Sequence, residues 1–388
     1  MVLRLGTFNV WGLPEAFGFG DDVSSRMRLI VERLSASDLD VLMIQEAWTS
    51  EVRDTLREGG RAAGFEVVRS PDGHGGLMTL SRRPIRETRF ERFHFRGDPE
   101  RLAGGEFLGG KGFLETRIEG DHGDVSIVNT HLHARYRRSR PRLNSAVRLA
   151  QLIQVVGHLF ETQGSVVVGG DFNCSVGELE YEIFRRLSGA SELGGGSRHP
   201  TLSRTNYYKR HRTAEDKRID FLFVRPAPGD QWRASDARLL FAESARIRAI
   251  DRSLSDHFGF RAALTLEPAR WVGSQSREAS ADAEVLALAY DLLDLGNREA
   301  EQRADGHRQH AWGYGLASAA CLLLGEQVPV DRRAFLRRSA KAVGCGLFAP
   351  TVGYGVLAHF DGEGKRDAFA DARAILARLE ARAAAPSA

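Results

Sequence analysis

The chain has 388 residues, of which 42% are hydrophobic and 27% charged, and this composition excludes an intrinsically disordered protein. The length allows one large domain or two smaller ones, and the net charge of +3 permits an anionic substrate or surface without requiring one. Because the three cysteines, Cys174, Cys321 and Cys345, lie far apart, we expect free thiols rather than a disulfide framework or a zinc motif.

The chain opens with an alternating strand pattern over residues 3–10, and no charged, apolar and cleavable leader precedes it. We therefore predict a cytoplasmic protein without an N-terminal signal peptide. A helix over residues 24–34 follows, with Ser24 as its cap, and then a buried strand over 41–45 and a helix over 51–63.

Strand patterns dominate the chain from there to residue 266. One long amphipathic helix, over residues 143–160, interrupts them. The clearest strands cover residues 77–81, 112–119, 125–130, 166–170, 219–224 and 258–266. Helices that alternate with runs of strands predict a layered α/β architecture.

Five polar residues stand at or just past the ends of apolar strands: Asn9, Glu46, His131, Asp171 and Asn173. Open α/β sheets gather their ligand groups at the carboxyl ends of strands, so this placement predicts a shared site. For each residue taken alone, an ordinary turn is the favoured interpretation. Five residues in the same position favour the functional interpretation.

The sharpest motif is residues 169–173 (GGDFN), whose glycines allow the backbone to turn tightly after a strand. Asp171 and Asn173 project to one side if the segment stays extended, and a Gly-Asp turn that closes a hairpin is the alternative. Residues 254–257 (LSDH) place a metal-type carboxylate, Asp256, beside a base, His257. A plain loop or a helix cap is the alternative there.

His131 and His133 alternate faces on an extended segment, so only one of them points into a given site. We choose His131 because it directly follows the strand end, and we assign His133 a loop or supporting position. The sequence holds 12 histidines, and most of them must be structural or exposed.

These residue types suit the hydrolysis of a phosphodiester. The reaction needs a cation that neutralises developing charge, an activated water, and hydrogen-bond donors around phosphorus. Glu46, Asn9 and Asp256 offer the oxygen ligands that a hard cation such as magnesium prefers. His257 can take the proton of the water, with Asp220 fixing its tautomer and stabilising the imidazolium.

Seven short motifs follow one another along the chain. They are residues 8–12 (FNVWG), 45–46 (QE), 75–77 (GGL), 129–133 (NTHLH), 170–173 (GDFN), 218–221 (RIDF) and 254–257 (LSDH). As a set, they resemble the endonuclease/exonuclease/phosphatase superfamily. Residues 9–14 (NVWGLP), 24–28 (SSRMR), 46–48 (EAW), 110–113 (GKGF) and 129–136 (NTHLHARY) are similar to the neutral sphingomyelinase branch. The resemblance covers residues 1 to about 266.

The resemblance implies a four-layer α/β/β/α sandwich of the metal-dependent phosphodiesterase type, with two facing mixed sheets between helices. It makes Glu46 the principal magnesium ligand, with Asn9 beside it and Asp256 near a metal or the phosphate. One or two magnesium ions are expected, with manganese as a substitute.

The same resemblance assigns the reaction to a second group of residues. His257 becomes the general base, oriented by Asp220. Asp171 and Asn173 position the attacking water and the phosphate, and His131 donates to the phosphate oxygens in the transition state.

Two further residues are predicted to bind substrate. Lys111 follows a glycine-rich stretch and would bring a positive charge to the phosphate, whereas a solvated lysine is the alternative. Tyr136 lies among four arginines within residues 135–140, which would meet an anionic headgroup or a membrane surface. The same cluster would suit a nucleic-acid backbone or be a solvated face.

The composition changes after residue 268. We predict a catalytic domain over residues 1–268, a linker over 269–280, where Gly and Ser interrupt the pattern, and a helical region over 281–388.

Two uncharged runs, residues 311–325 and 342–360, lie in this helical region, and several glycines and Pro350 dilute them. The second run reaches the length that spans a bilayer and the first falls short. A soluble helical bundle, a peripheral or hairpin membrane attachment and two spans are the alternatives, and we favour membrane association.

We predict a magnesium-dependent phosphodiesterase of neutral sphingomyelinase type. Its substrate would be sphingomyelin or a related phospholipid, cleaved to a phosphorylated headgroup and a lipid alcohol. A magnesium-dependent nuclease, specific for abasic sites or nonspecific, is the first alternative. A non-catalytic module that binds a membrane or a partner is the second. The sequence assigns no oligomeric state.

Overall fold

Two six-stranded β-sheets lie face to face in the computed structural model, with helices against both outer faces. The structure describes residues 2–15, 20–71, 74–95, 109–121, 123–134, 141–195, 198–211, 215–267, 283–327 and 330–384. Tyr136 and the predicted linker over 269–280 lie outside the described residues.

Within those ranges the chain forms fourteen strands and seven α-helices. The strands are β1 (Val2–Asn9), β2 (Val41–Gln45), β3 (Glu66–Arg69), β4 (Met78–Ser81), β5 (Ile85–Arg92), β6 (Gly112–Ile118), β7 (Val125–His131), β8 (Ser165–Asp171), β9 (Ser191–Glu192), β10 (Asp220–Arg225), β11 (Gln231–Leu240), β12 (Ala245–Ile247), β13 (Ile250–Arg252) and β14 (Gly259–Glu267). The helices are α1 (Val23–Ser35), α2 (Ser50–Ala62), α3 (Pro141–Glu161), α4 (Leu179–Leu187), α5 (Ala283–Gln327), α6 (Val330–His359) and α7 (Lys365–Ala384). A π-helical turn, Phe360–Gly364, joins α6 to α7.

The strands form two mixed sheets and a short hairpin of β12 and β13. Sheet A has the order β11-β14-β1-β2-β4-β3, and sheet B has the order β5-β6-β7-β8-β10-β9. Each sheet has one parallel pair at its centre, β1 with β2 and β7 with β8. The predicted layered α/β architecture and four-layer sandwich are confirmed.

The helices and strands predicted up to residue 266 are all present, with ends that differ by at most two residues. The sequence patterns missed α4 and six strands: β3, β5, β9, β11, β12 and β13. Four of these strands, β3, β5, β9 and β11, are the outermost strands of the two sheets, and Leu240 at the end of β11 is the one buried residue among them. Edge strands carry polar residues on both faces, so the alternation that marks a half-buried strand is lost.

The predicted Ser24 cap is wrong. Helix α1 begins at Val23, and the capping position is Asp22, whose left-handed backbone makes no side-chain cap bond. The carboxylate of Glu15 instead accepts a hydrogen bond from the Val23 amide at 2.5 Å. The Ser24 hydroxyl donates to Glu51 on α2, so it links two helices rather than capping one.

Alternating side chains of the central strands build the layers. In β2, Leu42 and Ile44 pack outward against α1 and α2, whereas Val41 and Met43 point inward to the other sheet. In β8, Val167 joins the same layer between the sheets. These strands are apolar throughout because both of their faces are buried.

A buried amide bridge connects the two sheets near the ends of their central strands. Asn129 on β7 donates through Nδ2 to the carbonyls of Ile44 and Met78, at 3.0 and 2.8 Å. Its Oδ1 accepts from Gln45 Nε2 at 2.8 Å. Asn129 and Gln45 are fully buried, so this bridge fixes the position of one sheet relative to the other.

Replacing Asn129 by alanine is expected to lower the free energy of unfolding by roughly 3 kcal/mol, because it leaves buried polar groups of β2 and β4 without partners. Urea unfolding followed by circular dichroism measures the change. Asn297→Ala, the same truncation on a half-buried face of α5, should cost less than about 1 kcal/mol. Equal losses in the two variants would show that the Asn129 bridge contributes no more to the free energy of unfolding than a half-buried side chain does.

The C-terminal helices share a core with the outer layer of sheet B. Leu286 and Leu293 on α5 and Phe369 on α7 belong to one apolar cluster with Val147 and Ile153 on α3. The helical character predicted for the region after residue 281 is therefore present. The domain limits at 268 and 280 stay predictions.

Large apolar side chains are exposed on the C-terminal half of α5 and along α6. Trp312 is 72% exposed and Phe335 is 80% exposed. Leu316, Leu323 and Leu324 on α5 and Leu336, Phe348 and Val352 on α6 are also exposed. Pro350 lies inside α6 and does not end it.

Among the described residues, one helical segment is long and apolar enough to cross a membrane by length and composition. It runs from Phe335 to Arg382, and 11% of its most apolar window is buried inside the protein. The uncharged run over residues 342–360 lies within this segment, whereas the run over 311–325 lies in α5.

Candidate active site

The central strands of both sheets end on the same side of the molecule and bring five polar residues together. Asn9 ends β1, and Glu46 directly follows its parallel neighbour β2. His131 ends β7, and Asp171 ends the parallel neighbour β8. Asp220 begins β10 and pairs with Asp171 in the antiparallel register. The predicted shared site is therefore assembled from both sheets.

Asn9 connects the carboxylates of the two sheets. Its Nδ2 donates to Glu46 Oε1 at 2.9 Å and to Asp171 Oδ2 at 3.0 Å. His131 Nε2 lies 3.8 Å from Glu46 Oε1 and 3.5 Å from Asp171 Oδ2. One potential ligand atom from each of Glu46, His131 and Asp171 lies within 4.8 Å of the others.

His257 and Asp220 form a buried pair beside this cluster. His257 Nδ1 lies 3.0 Å from Asp220 Oδ2. Asp171 completes a second group with these two residues, again with one atom of each within 4.8 Å of the others. Asp171 thus belongs to both groups and joins the predicted metal ligands to the predicted base.

The surrounding carboxylates make His257 strongly basic. Burial alone lowers the pKa of His257, but the charges of Asp220 and Asp171 and the hydrogen bond to Asp220 outweigh burial and raise this pKa to about 10. Because Nδ1 is engaged by Asp220, Nε2 is the nitrogen that can exchange a proton with a substrate or a water.

Burial and mutual repulsion make it unfavourable for Glu46 and Asp171 to be ionised in the folded protein. Burial, and next the charge of Asp256, raises the pKa of Glu46, while burial and the charge of Asp220 raise the pKa of Asp171 to about 7. A divalent cation among these oxygens would remove the repulsion, so the donor set fits a hard cation such as magnesium. When bound, such a cation would neutralise charge that develops on a phosphate and acidify a coordinated water.

Unusual backbone conformations cluster at this site. Glu46, Asn173 and Trp11 have positive φ angles of 61°, 51° and 47°, although none of them is glycine. Gly170, with φ 146°, precedes Asp171, and a Cβ at this position would lie 1.8 Å from the Thr130 carbonyl oxygen. Such strain is typical of sites where side chains are aimed at a ligand.

The segment from Asp171 to Asn173 does not stay extended, so the condition for the two side chains to project to one side is not met. Asn173 is left-handed, and its amide donates to Asp171 Oδ1 at 2.9 Å, so the chain turns around the carboxylate. Asn173 Nδ2 donates to the Leu132 carbonyl at 3.0 Å. The turn still leaves Asn173 beside the strand end, next to the segment that carries His131.

Lys111 is buried at the site, so the solvated alternative for this lysine is wrong. Its Nζ donates to the Leu132 carbonyl at 2.7 Å and lies 3.0 Å from His131 Nε2. His133 has a supporting position, because its amide donates to Gln151 on α3 at 2.9 Å and its side chain is buried.

Asp256 lies in the segment that leads into β14 and is paired with a lysine that sequence reasoning missed. Lys209 Nζ lies 2.7 Å from Asp256 Oδ2. Burial lowers the pKa of Lys209, but the charges of Asp256, Glu46 and Asp171 outweigh it and raise this pKa overall. Lys209 lies between two predicted strands in a stretch without hydrophobic periodicity, so a single sequence carries no signal for it.

Arg26 is a second residue to which the sequence motifs assigned no role. It is fully buried on α1 and donates to the carbonyls of Val10, Trp11 and Leu254, at 2.7, 2.8 and 3.1 Å. Its guanidinium also lies 4.9 Å from the centre of the Trp11 ring. The sequence carried one signal for this role, an arginine on the buried face of an amphipathic helix. A buried positive charge needs hydrogen-bond acceptors around it.

The arrangement provides the parts of a hydrolytic site for a phosphate ester. It holds a buried imidazole paired with a carboxylate, carboxylate oxygens from both sheets, and amide, imidazole and ammonium donors around them. An anion that enters this site meets hydrogen-bond donors, and a water beside it meets His257.

Comparison with known proteins adds relatives of two kinds. A model described as "Endonuclease/Exonuclease/phosphatase family" matches residues 6–257. A Drosophila melanogaster protein named "Putative neutral sphingomyelinase" is 27% identical over 316 residues, which is 76% of this chain and 67% of the relative. A Schizosaccharomyces pombe protein named "Inositol phosphosphingolipids phospholipase C" is 25% identical over 307 residues, which is 68% of this chain and 69% of the relative.

A solved structure shares the fold. A mutant of the beta toxin from Staphylococcus aureus, with bound magnesium ions, aligns with a TM-score of 0.55 and 18% identity. The alignment covers 68% of this chain and 99% of the toxin.

Proposed function

Because this chain belongs to the Endonuclease/Exonuclease/phosphatase family, we propose that it is a magnesium-dependent phosphodiesterase that removes the phosphorylated headgroup from sphingomyelin or a related sphingolipid. The family match and the relatives confirm three predictions. These are membership of this superfamily, the resemblance to its neutral sphingomyelinase branch, and the activity of a phosphoric diester hydrolase. The observation that carries the proposal is the convergence of Asn9, Glu46, His131, Asp171 and Asp220 from two sheets.

In the proposed reaction, a water oxygen attacks phosphorus and the bond from phosphorus to the lipid oxygen breaks. A cation bound beside Glu46 and Asp171 would offset the carboxylate charges that raise the pKa of His257, so that its ring would be neutral at neutral pH. His257 then accepts the proton of the water, and Asp220 stabilises the imidazolium through the 3.0 Å contact. Asp171 and Asn173 position the water and the phosphate. The lipid oxygen takes up a proton from solvent and leaves as an alcohol, the headgroup keeps the phosphate, and His257 returns its proton to solvent.

Glu46, with Asn9 and Asp256, is proposed to hold the magnesium. The close carboxylates and their raised pKa values support a cation at this position. Two relatives are named for cleavage of sphingomyelin or inositol phosphosphingolipids, and the beta toxin structure holds magnesium ions. These findings support the choice of substrate class and metal.

Donors around the phosphate are proposed to act on its non-bridging oxygens. His131 lies between Glu46 and Asp171, and Lys111 contacts it at 3.0 Å. Charge-assisted donors at these positions would stabilise the negative charge that increases in the transition state.

A membrane location is proposed for the exposed apolar part of α5 and α6. The segment Phe335–Arg382 supports this placement by length and composition, and large apolar side chains cover its surface. A cytoplasmic protein attached to a membrane through these parts of α5 and α6 would meet its lipid substrate at the bilayer surface.

A substrate panel tests the function. Purified full chain is incubated with vesicles of sphingomyelin, lysophospholipid or an inositol phosphosphingolipid, and with plasmid DNA, each with magnesium or with chelator. We expect a water-soluble phosphorylated headgroup from a sphingolipid with magnesium and at least a hundredfold less with chelator, roughly the effect of losing several kcal/mol of charge stabilisation. Cutting of plasmid without release of any headgroup would assign the nuclease alternative instead.

A further inference from the structure

A short turn of the chain, residues 206–210, is fixed against the segment that carries Asp256 and His257. Asn206 is fully buried and donates through Nδ2 to the Ser255 carbonyl at 2.9 Å. Its Oδ1 accepts from the Tyr208 amide, and its carbonyl accepts from the amides of Lys209 and Arg210. The Tyr207 amide donates to Ser253 Oγ at 3.0 Å. The turn is therefore held by its backbone and by Asn206.

Because of this attachment, the turn does not need its lysine to stay in place. Lys209 Nζ lies 2.7 Å from Asp256 Oδ2, and its side chain is 24% exposed. The Lys209 ammonium has three N–H donors, and the contact with Asp256 uses one of them. Lys209 thus brings donors to the site from a position that solvent can reach.

Lys209 and Lys111 both lie on segments next to strands of sheet B, but they contact residues that belong to different sheets. Lys111 contacts His131 at the end of β7 in sheet B. Lys209 contacts Asp256, which precedes β14 in sheet A. A phosphodiester that lies over Glu46 and Asp171 would therefore be attracted by two ammonium groups, one beside Asp256 and one beside His131.

We propose that Lys209 binds a non-bridging oxygen of the substrate phosphodiester while it holds the Asp256 carboxylate in position. The proposal rests on the proposed phosphodiesterase function, but it is independent of the lipid. Arg210, the residue after Lys209, is exposed, and its guanidinium lies 4.5 Å from the centre of the Tyr207 ring. Arg210 therefore serves as a matched control for the loss of one positive charge.

The experiment measures phosphate recognition with two small probes. Binding of inorganic phosphate to the magnesium-loaded full chain is followed by calorimetry, and hydrolysis of bis(4-nitrophenyl) phosphate gives kcat and KM. We expect Lys209→Met to weaken phosphate binding and to lower kcat/KM by roughly tenfold or more. We expect Lys209→Arg to recover most of both values and Arg210→Met to stay within about twofold of the wild type.

The controls separate substrate binding from a structural role. A residue that only supports the fold would lower the melting temperature and leave the phosphate dissociation constant unchanged, and this result would overturn the proposal. Equal losses in Lys209→Met and Arg210→Met would also overturn it, because they would show a general effect of charge. If Lys209→Met does not fold, Lys209→Gln replaces it, since glutamine keeps an N–H donor and loses the charge.

Failure of the proposed function gives a different pattern. If no sphingolipid is cleaved but phosphate binding still depends on Lys209, the lipid assignment falls and the role of Lys209 stands. If the wild-type chain binds no phosphate, the role of Lys209 falls.

Discussion

Replacing His257 by alanine is expected to lower kcat by roughly 10²- to 10⁴-fold, which is the usual contribution of a general base. His257 is the buried imidazole whose Nδ1 is held by Asp220 at 3.0 Å, so no other group in the described site can take its place with the same orientation. Initial rates at saturating substrate, on sphingolipid vesicles and on a soluble diester, measure the loss.

The matched control is His94→Ala, which removes an exposed imidazole paired with Asp371. This variant should keep its activity within about twofold, since surface changes away from a site rarely alter it. Asp220→Asn should lower the pKa of His257, because Asp220 is the largest influence that raises it. An NMR titration of the His257 ring that shows no such decrease would contradict the assigned pair.

Glu46→Gln is expected to lower kcat/KM by roughly 10³-fold, or about 4 kcal/mol, because it removes the charge of the principal proposed cation ligand and keeps the shape of the side chain. The affinity for magnesium should fall at the same time. Calorimetric titration with magnesium and steady-state kinetics measure the two effects.

The same variant should be at least as stable as the wild type in the presence of chelator. The pKa of Glu46 is raised in the folded protein, so the folded state opposes its ionisation and this carboxylate destabilises the fold at neutral pH. Loss of activity together with a higher melting temperature would identify a functional carboxylate. Loss of activity together with a lower melting temperature would instead point to a structural role for Glu46.

Sequence patterns predicted the central strands and long helices because burial on both faces or on one face leaves a clear period. Strand β2 was predicted with its observed limits, since all five of its residues are buried. The edge strands β5 and β11 were missed because their exposed residues carry no such period. Helix α4 has only nine residues, and a pattern of two turns is short for detection.

For the site, the residues at strand ends were predictable because the topology of a sheet sends such ends to one edge. Asn9, Glu46, His131 and Asp171 meet as expected. The path of Asn173 was not predictable, since the left-handed turn depends on the Asp171 carboxylate that accepts its amide. The contact of Lys209 with Asp256 depends on how a loop of no regular structure folds back, and residue order alone does not specify it.

The apolar cluster shared by α3, α5 and α7 has a practical consequence for anyone who designs a shortened gene. A fragment that stops where the family match stops, at residue 257, or at the end of β14 would uncover the face of α3 at Ala146 and Gly157, against which Gly296 of α5 and Ile375 of α7 pack. Such a fragment would expose this apolar surface to solvent and would precipitate or self-associate, even with all of its catalytic residues present. Recombinant expression of the hydrolase portion therefore requires a coding region that extends through α7.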